Sequence, residues 1–481
     1  MTIPKGCVNP PFGSKRPFCR LRRADHDPRA AALTVLSQVL HGNADSRAAL
    51  DAALQSPLMP PVDKSLCTEL VYGILRRYIA LEAFIRGFLP RPDKLPEEMR
   101  LALHLALYEM ACLRIPHHAS VGWTVNHVRN RFGQGLSRVA NGVLRAMQRK
   151  LPDFADLRRI SRSAASEEER LSLLYSVPAW IVSLWLNSYG LEAALLLLDA
   201  SGRPPPAGLR LNRACPDWER TKNELTPLPE AGDQGRIAKK GTTDASSREK
   251  GVLPVGPCAL VFLSALPRQA RVLLKEGKAS RQSAASYEIL EAFSPGSWQL
   301  PVWDCCAGRG GKTLALLEQG IAVELASDPS GRRLRALPEE YARLKLAAPP
   351  CPEILPLSVE EVAARLTGQA QPQRYGTILI DAPCSGLGTL SRRPEIRFRR
   401  TREDLDTLAG LQKSILALAW TCLRSGGSLV YLTCTINPAE NEQQVADFLA
   451  AHNDAALLEE VRTDFSSLLR EFFYGARIRK S

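Results

Sequence analysis

An acid and a thiol lie together near the C-terminal end of the chain, at a position suited to chemistry. Residues 377–380 are apolar and β-branched, which predicts a buried strand. Asp381 ends this run, Pro383 stops the hydrogen-bonding ladder, and Cys384 follows. Because ligands bind beyond the carboxyl ends of strands in open α/β sheets, Asp381 and Cys384 are candidate site residues. The alternative is a turn-capping acid and a thiol that only fills space.

A second thiol, Cys434, follows the predicted strand 428–433. Asn437 is a favourable helix N-cap, Pro438 suits the first helical position, and Glu440 would complete a capping box. The partial positive charge of a helix N-terminus favours a thiolate. Cys434 is therefore a candidate nucleophile, and the alternative is an inert thiol.

A glycine-rich loop, residues 304–313, lies between the predicted strand 302–304 and a predicted helix. Such glycines let backbone amides at a helix start approach a ligand. The spacing of Gly308, Gly310 and Gly311 is too close for G-x-G-x-x-G, and the first glycine of a P-loop would fall on Cys306. The loop therefore favours a nucleoside ligand without phosphates.

An acid after the next predicted strand, 322–327, supports a nucleoside ligand. Asp328 stands where an acid usually accepts hydrogen bonds from both ribose hydroxyls. S-adenosylmethionine fits these requirements, because it carries a ribose and an amino-acid tail but no phosphate.

The size and charge of the chain indicate a multidomain protein with an anionic partner. Its 481 residues are too many for one core and predict roughly three domains. Lysines and arginines number 63 against 50 acids, a net charge of +13 that favours nucleic acid. We expect no membrane span and no signal peptide, and so a cytoplasmic location. The 12 cysteines include no C-x-x-C pair and no His cluster joins them, which argues against zinc or iron–sulfur sites.

Hydrophobic periodicity divides the chain into four predicted regions. Residues 1–27 predict a disordered basic tail, and residues 28–150 an all-helical domain whose arginines suit either an RNA-facing or a merely solvated surface. Residues 151–287 predict a small α+β linker domain with an exposed loop at 230–251. Its strands are predicted at 208–213, 259–263 and 271–274. From residue 288 onward, alternating strands and helices predict a Rossmann-like α/β domain with a mostly parallel sheet.

Three ordered motifs, at 306–312, 381–384 and 433–441, resemble those of the Sun/Nol/Nop family of RNA 5-methylcytosine methyltransferases. The helical region resembles the NusB-like RNA-binding fold, and the resemblance to small-subunit (16S) rRNA cytosine-5 methyltransferases of this family covers roughly residues 28–481. It implies a small-subunit rRNA substrate, a monomer, and S-adenosylmethionine as cofactor. The cofactor-binding residues that it implies are Cys306, Ala307, Gly308, Arg309, Gly310, Gly311, Lys312, Asp328 and Asp381.

The resemblance also implies catalytic roles. The thiolate of Cys434 would add to carbon 6 of cytosine, which activates carbon 5 toward a methyl sulfonium. Asp381 would hydrogen-bond the pyrimidine edge, and Cys384 would assist release of the enzyme, as a base for example. The target base must leave its stack to reach such a pocket.

The chain departs from the family pattern at four places. Gly308-Arg309 replaces Ala-Pro, Ser358 stands where an acid is expected near the adenine, and Ser283 replaces the Asp of a Gln-Asp pair. We expect these three to weaken cofactor affinity. Glu471 replaces a Gly before the terminal Phe pair. Two alternatives stay open: a non-catalytic RNA-binding protein with a decayed site, and a DNA cytosine methyltransferase that uses Cys384 as nucleophile.

Overall fold

The computed structural model describes residues 27–89, 91–156, 161–162, 164–226, 251–367 and 373–481. The predicted basic tail and the predicted loop at 230–251 lie, but for residues 27 and 251, outside the described residues. Contacts divide the chain into two compact units. The helical unit runs up to Pro204 and includes Leu390–Arg400, and the sheet unit comprises Pro205–Thr389 and Thr401–Ser481. The predicted domain boundaries near residues 150 and 287 stay predictions.

The helical unit confirms the predicted all-helical N-terminal region. Asp27 caps its first helix, accepting from Arg29 N at 2.9 Å, and Pro28 takes the first helical position. Most of residues 117–149 form one helix, which is interrupted at Gly133, where φ is 86°. The helices of the described part are α1 Pro28–Leu40, α2 Ser46–Ala53, α3 Pro61–Arg86, α4 Glu97–Cys112, α5 His117–Arg149, α6 Leu151–Ala155, α7 Glu167–Tyr175 and α8 Ala179–Gly202.

Among the described residues, one helix is long and apolar enough to cross a membrane by length and composition, although the sequence led us to expect none. This helix is α8, whose most apolar window has a mean hydropathy of 1.5 and is 33% buried. Its backbone is interrupted at Gly190, with φ 77° and ψ 176°, and it buries Trp185, Leu197 and Leu198. Core helices of soluble proteins pass the same test.

The segment Leu390–Arg400 is anchored in the helical unit by a buried arginine. Arg397 is 1% exposed, and its Nη1 donates to the carbonyl oxygens of Ser176 at 2.7 Å and Arg76 at 3.1 Å. Its Nη2 donates to Ser201 O at 3.0 Å. Burial lowers the pKa of Arg397 to about 9. Phe398 packs on the same helical core.

A small antiparallel sheet opens the sheet unit, in the order β2-β3-β1-β4. Its strands are β1 Ala207–Leu211, β2 Val252–Val255, β3 Ala259–Phe262 and β4 Ala279–Ser280, and its helices are α9 Trp218–Leu225, α10 Arg268–Glu276 and α11 Ala284–Glu291. The predicted strand at 271–274 is wrong, because these residues belong to α10. Buried Ala270 and Leu273 are three residues apart, which is a helical spacing, and Gly277 ends the helix.

Seven strands of the described chain form the larger sheet, in the order β10-β11-β9-β8-β5-β6-β7. The five strands from β9 to β7 pair in parallel, and β11 and β10 add antiparallel pairs at one edge. This confirms the predicted Rossmann-like domain. Its strands are β5 Val302–Asp304, β6 Val323–Ser327, β7 Glu353–Leu355, β8 Tyr375–Asp381, β9 Leu423–Thr433, β10 Ala455–Arg462 and β11 Tyr474–Lys480.

Helices flank this sheet and connect its parallel strands. They are α12 Gly311–Glu318, α13 Gly331–Leu334, α14 Ala336–Arg343, α15 Val359–Thr367, α17 Arg402–Cys422 and α18 Glu442–Ala451, while the short α16 Ile396–Arg399 belongs to the helical unit. The strand order reverses between β5 and β8, since the chain proceeds outward from β5 to β7 on one side and from β8 on the other. Ligands of open α/β sheets bind at this switch point.

Candidate active site

The carboxyl ends of neighbouring strands carry the site's acids and thiols. Asp304 ends β5, Asp328 follows β6, Asp381 ends β8, and Cys434 follows β9. Because β6, β5, β8 and β9 are adjacent and parallel, these four residues share one edge of the sheet. The switch point between β5 and β8 lies at its centre.

Lys312 spans the switch point. Its Nζ lies 2.6 Å from Asp381 Oδ2, and the lysine side chain is 8% exposed against 37% for the aspartate. Lys312 stands in the first turn of α12, so this ion pair fixes the start of α12 against the end of β8. Two sequence-predicted site residues from separate motifs are thereby brought together.

The glycine-rich loop is held to Asp328. Gly308 N donates to Asp328 Oδ2 at 3.1 Å, Ser330 N donates to its Oδ1 at 2.8 Å, and Asp328 is 4% exposed. Gly310 has a φ of 81°, and a Cβ at this position would lie 2.6 Å from Leu337 Cγ. This position therefore requires glycine.

The donors and acceptors around the loop fit S-adenosylmethionine. A Cβ at Gly308 would stand 4.0 Å from Asp328 Oδ2, so the missing side chain leaves the loop backbone close to this carboxylate. Asp328 supplies a carboxylate beside this loop, and Arg309, the loop's one arginine, is exposed. Asp328 and the backbone of residues 306–311 would hold the nucleoside, as the sequence predicts.

Asp304 is a functional candidate that our sequence reasoning missed. It is 1% exposed and its Oδ2 accepts a 2.6 Å hydrogen bond from Thr313 Oγ1, while Oδ1 has no hydrogen-bond partner within the part of the chain that the structure describes. Burial, with a smaller contribution from the nearby Asp381, raises the pKa of Asp304 to about 7. The available signal was the same one that identified Asp381, an acid at the end of a buried strand.

The two candidate cysteines are in contact. Cys384 Sγ lies 3.2 Å from Cys434 Sγ, and the backbone N–H of Cys434 donates to Cys384 Sγ at 3.4 Å. Both thiols are half-buried. The hydrogen bond with Cys434, followed by burial, raises the pKa of Cys384 well above its usual range. Cys384 therefore keeps its proton at neutral pH.

Glu440 does not form the predicted capping box. Its Oε2 accepts from Ser385 N at 2.8 Å and from Gln412 Nε2 at 3.0 Å. The N–H of Asn437, which the box would need, donates instead to Thr435 Oγ1 at 3.3 Å. Asn437 does cap the short 3₁₀ turn Pro438–Glu440, but α18 begins only at Glu442. Glu440 thus ties the loop after Cys434 to the loop after Cys384.

Ser358, where the family pattern has an acid, caps a helix. Its Oγ accepts from Glu361 N at 3.2 Å, and its N–H donates to Glu361 Oε2 at 2.7 Å, at the start of α15. This is a capping box, which gives Ser358 a local structural role. Among the described residues, no group of three or more His, Cys, Asp or Glu is placed to hold a metal ion.

Comparisons with known proteins identify both parts of the chain. Residues 293–471 match the model of the 16S rRNA methyltransferase RsmB/F family, and residues 26–149 match the NusB family. The fold and the site therefore define a Rossmann-type RNA methyltransferase with an N-terminal NusB domain.

The relatives narrow this class. The ribosomal RNA small subunit methyltransferase B of Vibrio cholerae is 34% identical over 433 residues, which cover 89% of this chain and 91% of the relative. A probable ribosomal RNA small subunit methyltransferase B of Synechocystis is 31% identical over 89% of this chain and 90% of its own length. The chain belongs to the family of ribosomal RNA small subunit methyltransferases B.

Solved structures share the fold. The crystal structure of PH0851 matches with a TM-score of 0.70 and 20% identity, over 94% of this chain and 99% of that one. A methyltransferase homologue from Pyrococcus horikoshii matches with a TM-score of 0.50 and 22% identity, over 65% of this chain and 98% of that one.

Proposed function

We propose that this protein methylates carbon 5 of a cytosine in small-subunit rRNA through a covalent adduct with Cys434. The observation that carries this proposal is the 3.2 Å contact between the sulfurs of Cys384 and Cys434 at the edge of the sheet that also holds Asp381. Family membership supports the rRNA substrate. S-adenosylmethionine supplies the methyl group when it is bound by the glycine-rich loop and Asp328.

The attack on the base belongs to Cys434. Its thiolate adds an electron pair to carbon 6, and the electron density displaced from the ring makes carbon 5 nucleophilic. Asp381, held by Lys312 at 2.6 Å, hydrogen-bonds the pyrimidine edge and stabilises the adduct. After carbon 5 is methylated, its proton passes to solvent water. The electron pair of the broken C–H bond then expels the Cys434 thiolate from carbon 6 and restores the aromatic ring.

Cys384 assists the release step. Because its pKa is raised mainly by the hydrogen bond with Cys434, Cys384 retains its proton and can donate to the departing sulfur. A stabilised thiolate is a better leaving group. This role differs from that of a base, since a protonated thiol must first lose its proton to accept another.

The remaining parts of the proposal concern where the protein acts. We place it in the cytoplasm as a monomer that binds rRNA through the helical unit, whose NusB match and arginines support this role. The excess of 63 basic over 50 acidic residues supports an anionic partner.

Bisulfite sequencing of small-subunit rRNA tests the proposed function. A deletion strain should lose protection of one cytosine, and the intact gene should restore it whereas a Cys434→Ala gene should not. Unchanged protection in the deletion strain would contradict the proposal and favour the non-catalytic alternative. Loss of methylation in DNA instead of rRNA would favour the DNA methyltransferase.

A further inference from the structure

Two side chains that depart from the family motifs contact each other. Ser283 Oγ donates to Glu471 Oε2 at 2.8 Å, and the same oxygen accepts from Ser286 N at 3.3 Å as the N-cap of α11. Glu471 is only 2% exposed. Its carboxylate thus lies at the N-terminus of a helix, whose partial positive charge attracts an anion.

The neighbours of Ser283 place this pair at the glycine-rich loop. The adjacent residue, Gln282, accepts through Oε1 from Arg210 Nη1. The same nitrogen donates at 2.9 Å to the carbonyl oxygen of Gly311, the first residue of α12. The residue next to Ser283 is therefore linked through Arg210 to the turn that opens α12.

The neighbours of Glu471 lead to the same turn. Phe473, two residues further along the chain, has its ring 5.9 Å from Lys312 Nζ, and Lys312 is the second residue of α12. Lys312 in turn pairs with Asp381 at the switch point. Glu471 thus lies two residues from Phe473, whose ring approaches the lysine that joins the start of α12 to the end of β8.

The hydrogen bond between Ser283 and Glu471 shows that the two departures from the family pattern are structurally linked. The motif pattern has an acid at position 283 and a glycine at position 471, whereas this chain has a hydroxyl and an acid. Because the two side chains are hydrogen-bonded, the carboxylate has moved to another chain segment while staying within 2.8 Å of residue 283. The Ser283–Glu471 pair therefore carries the negative charge that the family pattern has at position 283, and the expected effect of Ser283 on cofactor affinity stays a prediction.

We propose that Glu471 binds the cofactor by receiving the ammonium group of its amino-acid tail, with Ser283 as the residue that positions the carboxylate. The inference rests on the proposed function, because that function supplies S-adenosylmethionine. An ammonium group that leaves water for a buried site needs a carboxylate to offset its desolvation. In this proposal Asp328 binds the ribose hydroxyls, and Glu471 is a second carboxylate that binds the amino-acid tail.

Calorimetry on the full chain with two ligands tests this assignment. S-adenosylhomocysteine carries the amino-acid tail, whereas 5′-methylthioadenosine has the same nucleoside but lacks the tail. Glu471→Gln should weaken S-adenosylhomocysteine binding about 10-fold, the size of one charge-assisted hydrogen bond, and leave 5′-methylthioadenosine binding unchanged. Glu459→Gln removes an exposed carboxylate from the same unit and should change neither affinity.

The double substitution Ser283→Asp with Glu471→Gly returns the carboxylate to the other segment and should restore affinity for S-adenosylhomocysteine. Equal affinity of Glu471→Gln and the unsubstituted chain for S-adenosylhomocysteine would overturn the inference and leave the proposed function intact. Equal weakening of both ligands would also overturn it, since Glu471 would then only support the pocket. A full chain that binds neither ligand would contradict the proposed function itself.

Discussion

Thr313 Oγ1 donates a 2.6 Å hydrogen bond to Asp304 Oδ2, and this bond joins the end of β5 to the first turn of α12. Both residues are buried, at 0% and 1% exposure. The glycine-rich loop runs between them, so their hydrogen bond closes the loop at its base. A buried carboxyl with a pKa near 7 at this point makes the stability of the loop depend on pH.

The protonation of Asp304 predicts how stability changes with pH. Its pKa rises from 3.8 in the unfolded chain to about 7 in the folded one, mainly because of burial. The folded state therefore binds more protons between these values, so Asp304 favours folding fully below pH about 4, and this contribution is lost as the pH rises to about 7. The loss is on the order of 4 kcal/mol.

Chemical unfolding between pH 4 and 8 measures this effect. Asp304→Asn should remove most of the decline that the intact chain shows across this range, because asparagine does not titrate. Asp447→Asn, an exposed acid on α18, should leave the decline unchanged. Identical pH profiles for Asp304→Asn and the intact chain would show that Asp304 does not titrate in this range.

Asp328 offers a test of the nucleoside site. Asp328→Ala should weaken S-adenosylmethionine binding by about 1–3 kcal/mol, because a charge-assisted hydrogen bond is lost. The substitution would also remove the two hydrogen bonds that the Asp328 carboxylate accepts, from Gly308 N at 3.1 Å and from Ser330 N at 2.8 Å. Calorimetry with the full chain measures the affinity, and preferred binding of ATP or a dinucleotide would contradict this site.

Arginines on α5 should carry much of the RNA affinity. Some arginines of the helical unit are held by hydrogen bonds within the protein. Arg131 donates to Glu98 at 3.1 Å, and Arg76 donates to Ser391 O at 3.0 Å. The exposed ones on α5 are Arg129, Arg138, Arg145 and Arg149. Replacing these four by alanine should weaken rRNA binding and reduce the slope of log affinity against log salt by about 1 per arginine.

Filter binding across a salt series measures this slope. Arg203→Ala, an exposed arginine that pairs with Asp199 at 2.9 Å on α8, provides the control and should leave the slope nearly unchanged. An equal slope for the fourfold variant and the intact chain would show that these four arginines of α5 do not contact the RNA phosphates.

Arg397 predicts a stability effect that the sequence gives no reason to expect. Arg397→Met leaves the carbonyl oxygens of Ser176, Arg76 and Ser201 without their donor in a buried site, which should cost at least about 2 kcal/mol. Thermal unfolding followed by circular dichroism should show a lower midpoint. Arg393→Met removes an arginine of the same segment whose side chain is 49% exposed, and it should have little effect. Equal midpoints for the two variants would contradict the anchoring role of Arg397.

The parts of the fold that follow from local sequence were predictable. Apolar β-branched runs predicted β5, β6, β8 and β9, and the acids and thiols that end or follow these strands are the candidate site residues Asp381, Asp328 and Cys434. These residues could be predicted because parallel strands place their carboxyl ends at the same edge of the sheet. The same reasoning would have found Asp304, which ends β5.

The side-chain partners were not predictable, because they join distant segments. Glu440 has the spacing of a capping box, yet it bonds Ser385 N, 55 residues away. Ser283 and Glu471 are 188 residues apart and each, taken singly, only marks a departure from a motif. Local sequence patterns indicate where helices and strands form. These side-chain contacts depend instead on which loops lie next to each other in the folded protein.

The cysteine pair gives the sharpest prediction, because replacing each cysteine should block a different step of the reaction. Cys434→Ala removes the attacking thiol, so carbon 5 is never activated and neither methylation nor a covalent complex should form. Cys384→Ala removes the donor that lies 3.2 Å from Cys434 Sγ and assists its departure. This variant should still attack and methylate, and then accumulate a denaturation-resistant protein–RNA adduct in the presence of S-adenosylmethionine.

Denaturing gels with labelled rRNA distinguish the two variants. Cys351→Ala, a half-buried cysteine that precedes β7 and lies outside the site, should behave like the intact chain. In the intact chain the raised pKa of Cys384 keeps this residue in the thiol form, which does not attack carbon 6. An adduct formed by Cys434→Ala but not by Cys384→Ala would therefore reverse the assignment and make Cys384 the nucleophile, as in the DNA methyltransferase alternative.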